Sequence, residues 1–230
     1  MKKLFVILLA ALLLVSFTSC NQDKIDELEK KVAEKETENE TLKAEKEDIV
    51  KNYEDFVDAY SFYNRFSPSF SLVIRPDSDN KVDVDFSTSS SLKPGIISIL
   101  EYLALTEDEK LNSNTLTETK GTISGTGKMD STTNEQTEAA LKFTGNSFKV
   151  KYTTNKTSEA KEFTLTLDGD YSFKNGTDKS EVTFKMTVNG TAYDISFEKD
   201  SKTGEFTAAK ANGKDVNIGL LNNQISYGAM

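Results

Sequence analysis

The chain has 230 residues, with 28 Lys and Arg against 37 Asp and Glu for a formal net charge of −9, no histidine, no tryptophan and one cysteine. The acidic balance argues against nucleic acid or an anionic lipid surface as a partner for the body of the protein. The missing histidines exclude Ser/His/Asp and Cys/His catalysis and the common zinc sites, and a lone cysteine excludes an internal disulfide.

Lys2 and Lys3 precede an apolar run from Leu4 to Val15 that ends in small polar residues. The run is too short to cross a bilayer comfortably and has the pattern of a secretory signal. The following residues, FTSC at 17–20, resemble the lipobox of bacterial lipoproteins, in the relaxed form of spirochaetes and some Bacteroidetes that tolerates Phe17 where Leu is usual. The resemblance implies that residues 1–19 are a signal peptide. It also implies that Cys20 becomes the mature N-terminus, carrying diacylglycerol on its sulfur and further acyl chains such as palmitate. Two or more acyl chains give stable anchoring where one gives only marginal binding, so the expected location is a membrane of the bacterial cell envelope, on its periplasmic or surface face. Losing Lys2 and Lys3 with the signal leaves 26 basic residues against 37 acidic ones, a net charge of −11.

Residues 20–66 are read as the lipid anchor and a helical stalk. From Asp23 to Lys51 there is no proline or glycine, and charge dominates. A heptad with Ile25 at a puts Ile25, Val32, Asn39, Lys46, Tyr53 and Tyr60 at a and Leu28, Lys35, Leu42, Ile49, Phe56 and Tyr63 at d. Asn39 at an a position suits the register of a parallel dimer, and the g-to-e pairs Lys31/Glu36 and Glu38/Lys43 have opposite sign. Two readings stay open: a homo-oligomeric coiled coil, weakened by Lys35 and Lys46 in the seam, or a single charged helix supported by i,i+4 pairs such as Glu27/Lys31. The dense aromatics from Tyr53 to Phe66 predict a docking surface at the joint between stalk and head. Ser67-Pro68 predicts the helix end, because a residue before proline avoids the α region.

Residues 67–230 are read as an antiparallel β head. Phe70, Leu72 and Ile74, then the turn PDSDN, then Val82, Val84 and Phe86 predict a first hairpin. A helix is expected at about 94–105, with Pro94 near its start and Ile96, Ile99, Leu100 and Leu103 at helical spacing; Thr106 and Glu109 suit a capping box. From Thr115 to Leu220 the sequence reads as hairpins. Asn189-Gly190 pairs Met186 with Tyr193, Phe184 with Ile195 and Val182 with Phe197. Gly145-Asn146 and Asp168-Gly169 are read as further turns, as are Asn175-Gly176, Ser201 to Gly204 and Asn212-Gly213. About ten to twelve strands with one apolar face predict a mainly β fold, an up-and-down barrel or a sandwich. Its expected core holds Phe70, Phe143, Phe148, Tyr152, Phe163, Phe173, Phe184, Ile195 and Phe197.

Candidate chemistry is sparse. No Gly-rich phosphate loop or GxSxG occurs. Asp77, Asp79 and Asp83 in DSDNKVDVD are calcium candidates, although an EF-hand would need an acid or amide at Lys81 and glycine at Val82. Asp168 and Asp170 flank a glycine in a way turn chemistry explains as readily as a carboxylate pair. The expected role is therefore a non-catalytic lipoprotein with a structural or interaction function, an unknown protein partner and no cofactor. The alternative is a lipocalin-like carrier of an apolar small molecule within the head.

Overall fold

A computed structural model of the chain describes residues 22–71, 75–85 and 93–228, with side chains omitted at 22–23, 69–71 and 224–228. The elements in order are α1 (Gln22–Ser71), β1 (Lys81–Asp85), α2 (Lys93–Ala104), β2 (Leu111–Met129), β3 (Gln136–Thr154), β4 (Thr157–Asn175), β5 (Lys179–Val188), β6 (Thr191–Asp200), β7 (Phe206–Ala211), β8 (Lys214–Asp215) and α3 (Ile218–Gly228). The chain divides into two compact units at Val50/Lys51, inside α1.

In the first unit α1 is exposed throughout its described length except at Ile25, which is half-buried. Leu28, Val32, Leu42 and Ile49 stand 37–55% exposed. Glu27 and Lys31 pair at 2.6 Å, as the i,i+4 spacing anticipates.

In the second unit the eight strands form one antiparallel sheet in the order β1 to β8, each strand pairing only with its neighbours in sequence. The expected barrel or sandwich is corrected to a single open sheet whose apolar face is covered by helices. Phe56, Ala59, Phe62 and Phe66 recur along α1 and are buried, and they share one core with Ile96, Ile99 and Leu100 of α2 and Leu221 of α3. Burying each of the larger of these side chains contributes about 1.5–3 kcal/mol. This cover explains why the sheet neither closes nor stacks on a second one: the chain supplies its own second layer. Rings interlock across the interface, with Phe62 stacked on Tyr193 at 5.0 Å and Phe66 edge-on to Phe184 at 5.1 Å.

The predicted core is buried at Phe143, Phe148, Tyr152, Phe184, Ile195 and Phe197, and half-buried at Phe163 and Phe173. Phe70 differs. It lies in the last turn of α1 rather than on a strand, and its side chain, with Leu72, Ile74 and Phe86, falls outside the described residues. The helix runs through Pro68 to Ser71. The pre-proline preference is one of modest size, and Phe66 on Phe143 at 5.4 Å and Ser67 on Tyr171 hold the chain helical across it.

The Asn189-Gly190 hairpin has the expected register, Met186↔Tyr193, Phe184↔Ile195 and Val182↔Phe197. Both loop residues have positive φ, 47° and 83°, the type I′ geometry that matches strand twist. Gly145-Asn146 and Asp168-Gly169 are not turns. Each lies inside a continuous 19-residue strand. Thr144 and Gly145 together oppose Asp168, between the pairs Phe143↔Gly169 and Asn146↔Leu167. This is a β-bulge with its glycine at φ 61°. The extra residue switches the buried positions of β3 from odd (Ala139, Leu141, Phe143) to even (Asn146, Phe148, Val150) while keeping one apolar face. Strand β4 needs no such switch, since Leu165, Leu167 and Tyr171 keep period two straight through Gly169. Two supposed hairpins thus become two long strands, which is why eight strands replace the expected ten to twelve.

Beyond the two residues paired with β8, the outer side of β7 is closed by a side chain. Asn222 of α3 accepts from Phe206 N at 2.8 Å and donates to Phe206 O at 3.0 Å, so its amide occupies the place that a longer β8 would take.

Candidate functional site

Cys20 lies outside the described residues. Among the described residues no helix is long and apolar enough to cross a membrane. Of the calcium candidates, Asp77 and Asp79 sit on the turn before β1 and Asp83 lies within β1. Asp77 Oδ1 accepts from the backbone N–H groups of Asp79 at 2.9 Å and Lys81 at 2.8 Å, and Asn80 follows at φ 61°. One carboxylate oxygen of Asp77 therefore already serves as a turn clamp. Asp79 and Asp83 are exposed, and among the described residues no three His, Cys, Asp or Glu side chains are grouped to hold a metal ion.

Asp168 and Asp170 both stand on the exposed face of β4. Asp168 Oδ1 accepts from Gly145 N at 2.5 Å, fastening the bulge, so its role is explained by the backbone it satisfies. Asn146, beside it, is 1% exposed. It donates Nδ2 to Thr122 O at 3.1 Å while Oδ1 has no partner among the described residues.

Polar groups gather instead at the rim of the aromatic core, where α1 crosses β4 to β6. Ser67 Oγ and the Tyr171 hydroxyl are 3.2 Å apart. Tyr63 packs against Tyr171 at 6.2 Å between ring centroids. Burial pushes the Tyr63 hydroxyl up from its ordinary pKa, and burial together with neighbouring Tyr63 pushes Tyr171 further still. Both remain neutral hydroxyls, able to donate and accept hydrogen bonds.

Lys199 of β6 completes the cluster. Its ammonium donates to the Tyr60 hydroxyl and lies 4.4 Å from the centroid of Phe206 and 4.8 Å from that of Tyr60. Such a position is favourable for a cation even without a carboxylate. Sequence reasoning passed over Ser67, Tyr171 and Lys199. Serine before a proline, tyrosine in an alternating strand and lysine near a turn carry no local signature of convergence; only the packing of α1 brings them together.

Compared with known proteins, the chain matches no family model, no curated protein and no solved structure.

Proposed function

We propose that the protein is a membrane-anchored lipoprotein of the bacterial cell envelope whose β head serves a structural or interaction role without catalysis. The observation that carries this reading is the N-terminal pattern: a basic pair, a twelve-residue apolar run and a single cysteine placed where a lipobox requires it. Filling of the apolar face by Phe56, Phe62 and Phe66, each 0% exposed, supports an interaction head over a carrier with an internal apolar cavity. The exposed a and d residues Leu28, Val32, Leu42 and Ile49 support self-association of residues 22–50 as a parallel coiled coil, with Asn39 setting the register. Tyr53, Phe56, Tyr60 and Tyr63 pack against the head's core, so the seam runs from Ile25 to Ile49.

In the native host the full chain should partition into detergent, and Cys20→Ser should accumulate as an unprocessed precursor or be released. Unchanged processing and membrane association in that variant would refute the anchor. In detergent solution the full chain should sediment as an oligomer, and Asn39→Leu should broaden its distribution of oligomeric states; a monomer would refute the coiled coil and leave a lone helix.

A further inference from the structure

A cleft of about 490 Å³ opens beside the last turns of α1, bordered by strands β2 to β6. Its volume falls within the roughly 300–1,000 Å³ of small-molecule sites. The rings of Tyr63, Tyr171, Phe173 and Phe197 line it, together with the Ser67 hydroxyl, and two cations, Arg75 and Lys199, border it.

Two features set it apart from a solvated crevice. The first is charge. The protein carries nine more acidic than basic residues, yet two cations, Arg75 and Lys199, border the cleft and Glu135 is the one carboxylate in its lining. Neither cation has a carboxylate within ion-pair distance among the described residues. The cleft is therefore locally cationic on an acidic protein. The second is the mixture of aromatic and hydroxyl groups in the lining. Tyr60, Tyr63 and Phe173 are half-buried and offer apolar surface to a saturated ring, and the half-buried Ser67 and Tyr63 carry hydroxyls for its polar substituents.

We propose that this cleft binds a hydroxylated six-membered ring bearing one anionic group, an acidic sugar. A purely apolar ligand would desolvate Arg75 and Lys199 without giving either a counter-charge. A neutral sugar would leave both cations uncompensated. A carboxylate or a phosphate would serve the cations alike, so the anion can come from a uronic acid or a sugar phosphate.

The test is calorimetric titration of the full chain in detergent with D-glucuronate, glucose 6-phosphate, glucose and laurate. Saturable binding of at least one anionic sugar is expected, with glucose at least tenfold weaker, and the stronger of the two identifies the anion. Lys199→Gln and Arg75→Gln should each weaken binding about tenfold, whereas Lys185→Gln, on the outer face opposite Asp194, should not. Arg75 is exposed and contributes nothing to the core, so that variant remains informative even where Lys199→Gln lowers stability. Absence of saturable binding by both anionic sugars, equal affinity for glucose, preference for laurate, or unchanged affinity in Arg75→Gln would each overturn the proposal.

Discussion

From Lys24 to Val50 the side chains of α1 are exposed apart from Ile25, whereas from Asn52 to Phe66 the same helix buries Asn52, Phe56, Ala59, Phe62 and Phe66. The first half is held by the absence of helix breakers and by ion pairs such as Lys31–Glu27 at 2.6 Å and Lys51–Asp55 at the boundary, worth about 0.2–0.5 kcal/mol each. The second half is held by tertiary packing of an aromatic stripe. One backbone geometry thus rests on two energy sources of different size, which mutation should separate. Phe66→Ala, removing a ring that meets Phe143, Tyr171 and Phe184, should cost about 3–5 kcal/mol in denaturant unfolding of the head. Leu42→Ala should change that transition by less than about 0.5 kcal/mol. Equal losses would break the distinction between the halves.

The next largest effect is expected where two strands leave no room for a side chain. Gly169 has φ 138°, and a Cβ there would stand 2.1 Å from the Lys185 carbonyl oxygen. Gly169→Ala must therefore shift the β4–β5 backbone, and should cost about 2 kcal/mol or more. Gly190→Ala, at φ 83° in the turn with nothing within 4 Å, should cost about 1 kcal/mol, the conformational penalty alone. A Gly169 variant as stable as the Gly190 variant would show that the strands yield freely at this close approach.

Asn52 is the polar member of the buried stripe. Its Nδ2 donates to Asp215 O at 2.8 Å and approaches Lys214 O at 3.4 Å, tying the start of the packed half of α1 to the short edge strand β8. Asn52→Ala should cost about 1 kcal/mol and speed amide exchange in β8 more than in β5, as seen by hydrogen exchange. Uniform loss of protection would mean that the contact stabilises the head only globally.

These contrasts also show what was legible in the sequence. The register from Val182 to Phe197 was readable because Asn189-Gly190 satisfies two independent conditions, positive φ and matched faces. The same cues misled at Gly145-Asn146 and Asp168-Gly169, because glycine and Asx residues serve bulges and bends as well as turns. Parity in β3 is shared by a two-residue hairpin and a one-residue bulge, so period two alone does not choose between them. The turn Asp130 to Glu135 was missed although it repeats the chemistry of Asp200 to Glu205. In each, the aspartate side chain accepts from the second and third following N–H groups, and Asn134 or Gly204 supplies positive φ. The pattern Asp-x-x-Thr-(Asn/Gly)-Glu was the available signal. The cleft was not legible, since Ser67, Tyr171 and Lys199 are far apart in sequence and lie on separate elements. Helix α3 was missed as well, its short apolar run having been read as the end of the strand region.

The smallest effect expected is that of pH near neutrality, where the contrast sharpens into a difference between core and turns. With no histidine, no side chain described in the head has an ordinary pKa between 6 and 8. The melting temperature should be flat there, within about 2 °C. On the acid side, backbone N–H groups of Thr133 and Thr132 hold Asp130 below the usual carboxylate range, and those of Thr203 and Lys202 do the same for Asp200. A lowered folded-state pKa contributes stability that is present above the unfolded value of about 3.9 and is lost as pH falls through the folded one. Stability should therefore decline below about pH 4, and Asp200→Asn should shrink that decline. On the alkaline side the sign reverses. Burial raises Tyr63 and Tyr171, so their contribution is intact below the unfolded value of about 10 and fades as pH rises beyond it. Tyr171→Phe should flatten this limb while leaving the acid limb unchanged, because the acid limb belongs to exposed carboxylates, those of the turns and the lysine-paired Glu118, Glu138 and Glu181 of the strands, whereas Tyr171 belongs to the aromatic core under α1. A melting temperature that slopes between pH 6 and 8, or a Tyr171→Phe variant altered on the acid side, would show that exposed carboxylates and core do not titrate independently.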